Sequence, residues 1–399
     1  GSFIFEDASN TENSKLKDFM LLASESGNVR TPALWYLLSV YIFFFNKYFT
    51  KATQLIEKSE SFAHPDKNLA DETRIIKALI NIDKRDSVSP QFEKKILDEF
   101  TWLEKKEKTK SSQYQTSDFE KAKKYLLERL MLKYANQGDD TKALLCKNIF
   151  KPIDLYNDMD EKVVDNFINH LKDNKKSKME IFLSSHLQYS LPQLYEMKGT
   201  FALRRAEFKE ALDYLKKGKP YDFYNGDGMS YNNPFKSEIN ICVNCEDPEN
   251  TGRMTKNEFA EKMLEYERLA KSKKKDAANY YYLLGLGMYN TTLYGSSYNL
   301  TNYSKSSYST GGHYETDIAL EYFKKSLQLS KDKELSAKAC FMAAKCEQRI
   351  TSDNIEEIFV DEYYEYFKKL NDNYSDTEFY KEVIQECKYF NIFVKNNRD

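Results

Sequence analysis

The sequence predicts an all-α protein in which short helical hairpins stack on one another as a solenoid. Three observations carry that expectation. Glycine and proline are scarce, 13 and 8 in 399 residues, which favours helices over turn-rich β folds. Apolar residues recur at helical spacing in segment after segment. Small residues recur where two antiparallel helices must touch. The stretch Tyr195–Leu215, YEMKGTFALRRAEFKEALDYL, shows this best. Gly199 and Ala211 let two helices approach closely, and Tyr195, Phe208 and Leu215 fill the space around them. Such a pair cannot bury its apolar face alone, so it stacks on neighbours of the same kind.

Taken in order, residues 1–13 are polar and loose, and Leu16–Ser24 is a first amphipathic segment. Pro32 opens an apolar helix, a position where proline is tolerated. Together with Tyr48–Lys58 it repeats the plan of the 195–215 pair. Tyr36, Phe49 and Ala52 stand where Tyr195, Phe208 and Ala211 do, with Val40 in place of the small residue. Leu69–Ile82 and Phe92–Leu103 form a hairpin, and the charged run Glu104–Lys110 reads as a solvated loop or frayed helix end. Phe119–Tyr134 and Thr141–Ile149 are joined by NQGDD, where Gly138 suits a left-handed helix end and Asp139 or Asp140 a cap. Asp160–Lys172 and Ser177–His186 follow.

Residues 218–253 concentrate turn chemistry, and helices resume at Lys256–Ala270 and Ala277–Asn290. Gly285 lies 34 residues before Ala319 instead of the 12 that separate Gly199 from Ala211, so 22 extra residues sit inside one hairpin. Thr316–Ser330, Leu335–Arg349, Ile355–Asn373 and Thr377–Phe393 complete the chain. The organisation expected is a loose 1–13, helical repeats over 14–217, an inserted loop over 218–253, and further repeats over 254–399 carrying a Tyr-rich insertion at 290–315.

These spacings resemble tetratricopeptide repeats in degenerate form over most of the chain. The last hairpin, FKKLNDNYSDTEFYKEVIQEC, resembles the pattern found in outer-membrane assembly lipoproteins. GDDTKALLCKN (138–148), LYEMKGTFALRR (194–205) and YYYLLGLGMYNTTLYG (280–295) resemble uncharacterised, repeat-rich envelope lipoproteins of Bacteroidetes. The resemblance implies a right-handed α-solenoid in the cell envelope, periplasmic or on the outer-membrane surface. The leading Gly1-Ser2 reads as a tag remnant, so a natural start and any lipid anchor are expected upstream, and membrane attachment only through such an anchor.

Charged residues make up 31% of the chain but the net charge is only -2, which gives no electrostatic case for nucleic acid or an acidic membrane. The apolar run Leu34–Phe45 is too short to span a bilayer. His64, His170, His186 and His313 have no metal-ligand spacing, and no nucleophile, phosphate-loop or dinucleotide motif is present. The expectation is no enzyme, no catalytic residue and no cofactor. Cys146, Cys340, Cys346 and Cys387 read as buried thiols.

Cys242-x-x-Cys245 has the spacing of a local disulfide pinning the 218–253 loop, of half a zinc site, or of two inert thiols. Asp247, Glu249, Thr251 and Glu258 fall in a calcium-loop register. Thr255 with Glu258 makes a capping box, the simpler reading, so no metal is expected.

Tyr294, Tyr298, Tyr303, Tyr308 and Tyr314 stud the second insertion, and Tyr224 and Tyr231 the first loop. Tyrosine offers a broad amphipathic ring at little entropic cost, which suits protein recognition or carbohydrate stacking. The same rings can instead fold back and plug the inner face of the array. Trp35 and Trp102 read as helix core. The function expected is a non-enzymatic envelope scaffold binding a protein or peptide through its concave face and long loops. The alternative is a surface glycan-binding protein using the Tyr-rich loop.

Overall fold

The structure, a computed structural model, describes residues 11–26, 28–62, 67–110, 118–219, 222–223, 226–227, 229–230, 232–237, 239–240, 253–303, 310–351 and 365–396. Its regular structure is helical apart from two ribbons of two-residue strands. In chain order the elements are α1 (Thr11–Glu25), α2 (Pro32–Phe45), α3 (Phe49–Glu60), α4 (Lys67–Asp83), α5 (Pro90–Lys110), α6 (Asp118–Asn136), α7 (Asp140–Phe150), α8 (Leu155–Asp158), α9 (Glu161–Lys172), α10 (Lys178–Ser184), α11 (Leu191–Arg204) and α12 (Phe208–Leu215). Then come β1 (Asp222–Phe223), β2 (Gly226–Asp227), β3 (Met229–Ser230), β4 (Met254–Thr255), α13 (Lys256–Ser272), α14 (Ala277–Asn290), α15 (Asp317–Leu329), α16 (Lys333–Thr351), α17 (Glu365–Tyr374), α18 (Glu378–Glu386) and α19 (Lys388–Asn396). The strands pair as β1 with β2 and β3 with β4, both antiparallel.

Helix starts follow local chemistry. Pro32 occupies the first turn of α2, where its missing N–H removes no helical bond. Gly138 adopts φ +80°, which ends α6, and the Asp139 side chain accepts from the Lys142 N–H to start α7. Ser177 with Glu180 forms a reciprocal box at α10.

The chain divides into two compact units, Gly1–Ile153 with Asp173–Gln188, and Asp154–Lys172 with Tyr189–Asp399. In the first, α2 pairs with α3 and α6 with α7. Val40 is fully buried at the position expected of a small residue. The run 104–110 is not a loop: α5 continues through Lys110. Its charges find partners, which is why the helix persists. Lys106 bonds Asp71 at 2.6 Å, and Lys123 lies 3.0 Å from Glu107 and 3.7 Å from Glu104. The His186 imidazole is 2.7 Å from Glu104. The ring of Phe182 stacks on Phe100 at 5.5 Å and seats α10 on α5.

Asp160–Lys172 and Ser177–His186, neighbours in sequence, pack apart: α9 packs on α11 in the second unit while α10 packs on α5 and α7 in the first. Two expectations are corrected here. Trp35 and Trp102 are half-buried, not core; Arg74 covers the Trp102 ring at 4.3 Å and Phe19 meets Trp35 edge-on. The segment Thr377–Phe393 breaks at Cys387, because Phe390 turns back onto Phe367 and Tyr380.

In the second unit each helix from α11 to α18 packs on the next, and α14 reaches α16, as α16 reaches α18. The close approaches fall on the small residues. A Cβ on Gly199 would lie 2.6 Å from Leu215 Cγ, and one on Gly285 would lie 2.6 Å from the Phe323 ring. Gly285 and Phe323 therefore meet across the long insertion, as the spacing predicts. The unit includes α11 and α12 before the 218–253 segment and α13 after it.

Phe323 is fully buried and cannot move aside. Gly285→Ala should therefore lower stability by about 1–3 kcal/mol despite alanine's better helix propensity. Phe323→Leu in the same chain should recover part of the loss, as read by urea unfolding.

Candidate functional site

The site centres on one face of α11. Glu196, Thr200 and Arg204 recur every four residues, so their side chains line up along the helix. Lys256 joins them from the first turn of α13. The Thr255–Glu258 capping box fixes that turn: the Thr255 hydroxyl accepts from the Glu258 N–H at 3.2 Å, and Glu258 accepts from the Thr255 N–H at 2.8 Å. This commits Glu258 to the helix start. The Thr255 N–H and the Thr255 hydroxyl, both donating to its carboxylate, hold it below the usual carboxylate range.

The Tyr-rich insertion supplies the rest. It leaves α14 through a tight turn in which a Cβ on Gly295 would lie 2.2 Å from Asn290 Cα. A 3-10 turn over Tyr298–Leu300 follows, and Leu300 is fully buried. Tyr303 then reaches α11, where its hydroxyl donates to Glu196 Oε2 at 2.5 Å. The Lys256 ammonium bonds Glu196 Oε1 at 2.6 Å and Thr200 Oγ1 at 2.8 Å, and sits 4.3 Å from the Tyr303 ring centroid. Arg204 donates to the Thr301 carbonyl at 2.7 and 2.9 Å, to Gly311 O at 2.7 Å and to Asn302 Oδ1 at 3.2 Å.

Burial governs the electrostatics. Desolvation lowers the Lys256 ammonium, partly offset by Glu196, and raises the Tyr303 phenol well above its ordinary value. Burial brings Arg204 down to about 10. Burial, and then the positive charge of Arg204, brings His313 down to about 3. The Thr301 hydroxyl donates to Thr291 O. His313 Nδ1, at 3.2 Å, therefore carries the proton and donates to Thr301 Oγ1. The assembly binds and orients a chain segment.

The two insertions are tied together. Asn290 donates to Pro234 O and Lys236 O, Asn232 donates to Ser296 O, and Ser297 donates back to Asn232 O. Phe235 stacks on Phe259.

Tyr303 is thus a plug. Tyr298 is half-buried. Tyr294 and Tyr314 meet edge to face at 5.9 Å, with Arg349 4.3 Å over Tyr294 and Tyr314 46% exposed. Tyr224, Tyr231, Tyr308, Cys242, Cys245, Asp247, Glu249 and Thr251 lie outside the described residues. Glu196, Thr200, Arg204, Lys256, Asn302 and His313 were not anticipated. The four-residue spacing of Glu196, Thr200 and Arg204 beside an apolar stripe was the available signal.

A cleft of about 800 Å³ also opens between the α13–α14 and α15–α16 turns. Leu329 and Leu335 lie in it beside Lys274, Lys275 and Lys331. Among the described residues no group of three or more His, Cys, Asp or Glu is placed to hold a metal, and no helix is long and apolar enough to cross a membrane. Comparison with family models, curated proteins and solved structures finds no match to the chain.

Two outcomes follow from the buried charges. Lys256→Met should cost about 3–5 kcal/mol by stranding Glu196, whereas the pair exchanged for Met and Leu should cost less, about the 1–2 kcal/mol of the hydrogen bond that Tyr303 gives Glu196. Chemical denaturation of the two single variants and the double variant measures this.

His313 has a depressed folded value, so its stabilising contribution is complete above the unfolded value near 6.5 and is lost as pH falls towards 3. His313→Asn should remove that part of the acid dependence, as read by unfolding at pH 7, 5 and 4.

Proposed function

We propose that this protein is a non-enzymatic interaction scaffold of the cell envelope. In this reading it is a right-handed α-solenoid of tetratricopeptide-like hairpins that binds a protein partner through the face onto which its insertions fold. The nearest-neighbour packing of α11 to α18 supports the solenoid reading. The envelope assignment rests on the three phrases that resemble envelope lipoproteins.

The observation that carries the binding reading is the Tyr294–Tyr314 pair with Arg349 beside it. The insertion that bears the rings is itself anchored in the core, so little ordering entropy remains to be lost on binding. Tyrosine and arginine are the side chains that dominate protein interfaces. The exposed ring of Tyr314 also favours a second reading, a surface glycan-binding protein. That reading has fewer rings to use than the sequence promised, because Tyr303 is turned onto α11 with its hydroxyl on Glu196 and Arg349 covers Tyr294.

Deleting 290–315 is a poor test, since it would bare Glu196, Lys256 and Arg204. The surface variant Tyr314→Ala/Arg349→Ala leaves the anchors intact. Capture of one partner from envelope extract should fall at least about tenfold with this variant, by the usual weight of such side chains. Unchanged capture would sink the protein-binding reading. Loss of glycan-array binding on Tyr314→Ala, with no protein captured, would favour the glycan reading.

A further inference from the structure

Residues 300–303 lie in the second unit as a ligand lies in a site. Leu300 enters the apolar core, and Tyr303 fills a pocket of Glu196, Thr200 and Lys256. Between them Arg204 bonds the Thr301 carbonyl and the Asn302 side chain. An apolar plug would close this face at less cost, since a buried ion pair must be desolvated before it forms. Among the described residues the hydrogen bonds of Arg204 run to neutral oxygens, with no carboxylate bonded to it. A polar site that holds its occupant by one leucine, one asparagine, one tyrosine and a carbonyl is suited to recognising a segment and releasing it.

We propose that this face of α11 and α13 is a binding site for a Leu-x-Asn-Tyr segment of a protein partner, held in cis by residues 300–303 until a partner segment takes their place. The proposal rests on the interaction-scaffold reading and names the chemistry of its partner. A tethered segment acts at an effective concentration of roughly millimolar. A free segment therefore competes poorly unless the cis copy is weakened or the partner also grips the Tyr294 and Tyr314 surface.

The probe is a fluorescent hexapeptide, YNLTNY, with the sequence of residues 298–303. The full chain carrying Leu300→Ser/Tyr303→Ala should bind it saturably, and the unsubstituted chain at least about tenfold more weakly. A peptide ending in Phe should bind about tenfold more weakly, because it lacks the hydrogen bond to the Glu196 carboxylate. A folded double variant that does not bind the peptide overturns the proposal, as does binding indifferent to the terminal hydroxyl.

Should the double variant not fold, the decision passes to hydrogen exchange in the unsubstituted chain. There the Thr301 and Asn302 amides are bonded to Tyr298 O. Excess peptide should speed their exchange, and unchanged protection overturns the proposal. The probe needs no native partner. Its failure would leave capture through Tyr314 and Arg349 standing, and loss of that capture would not affect the peptide result.

Discussion

The second unit depends on how closely its helices approach one another. Where Gly199 meets Leu215 and Gly285 meets Phe323 there is no room for a single added carbon. Close approach lets large rings from neighbouring layers interlock: Phe208 with Phe259, and Tyr282 with Phe323. A helical pair has too little apolar area to be stable alone, so each pair of the unit depends on the helices packed beside it. The same contact explains how 22 extra residues are tolerated inside one hairpin. The two helices are joined by packing, and their connection is free to acquire another role.

That role is visible in the polar file of α11. Glu196, Thr200 and Arg204 are costly to bury, and each is satisfied by the insertion or by Lys256. The insertion and α11 therefore need each other: without Tyr303 and the Thr301 carbonyl, the helix would present stranded charges to its own core. The ring pair of Tyr294 and Tyr314 inherits its fixed position from this buried arrangement.

Much of the helical plan was legible in the sequence because it rests on local rules. The glycine and alanine spacing located the α11–α12 pair and rejoined α14 to α15 across the insertion. Gly138 with Asp139, and Thr255 with Glu258, declared a helix end and two helix starts. What was not legible depended on partners distant in sequence. The run 104–110 stays helical only because Asp71, Lys123 and His186 face it. The separation of α9 from α10 is a matter of which surface each amphipathic face finds. Tyr303 could be assigned to plugging or to binding by composition alone. Its acceptor, Glu196, lies 107 residues away, and no local pattern announces it.

Arg204 has a topological effect. By bonding both Thr301 O and Gly311 O, one guanidinium clasps the two ends of the intervening stretch at the same point. The end of α8 shares in that closure, since the Gly311 N–H donates to Asn157 O and the Thr310 hydroxyl to Asp158. Evolution, or a protein engineer, has a place here to splice in foreign sequence while the clasp and the hairpins stay as they are.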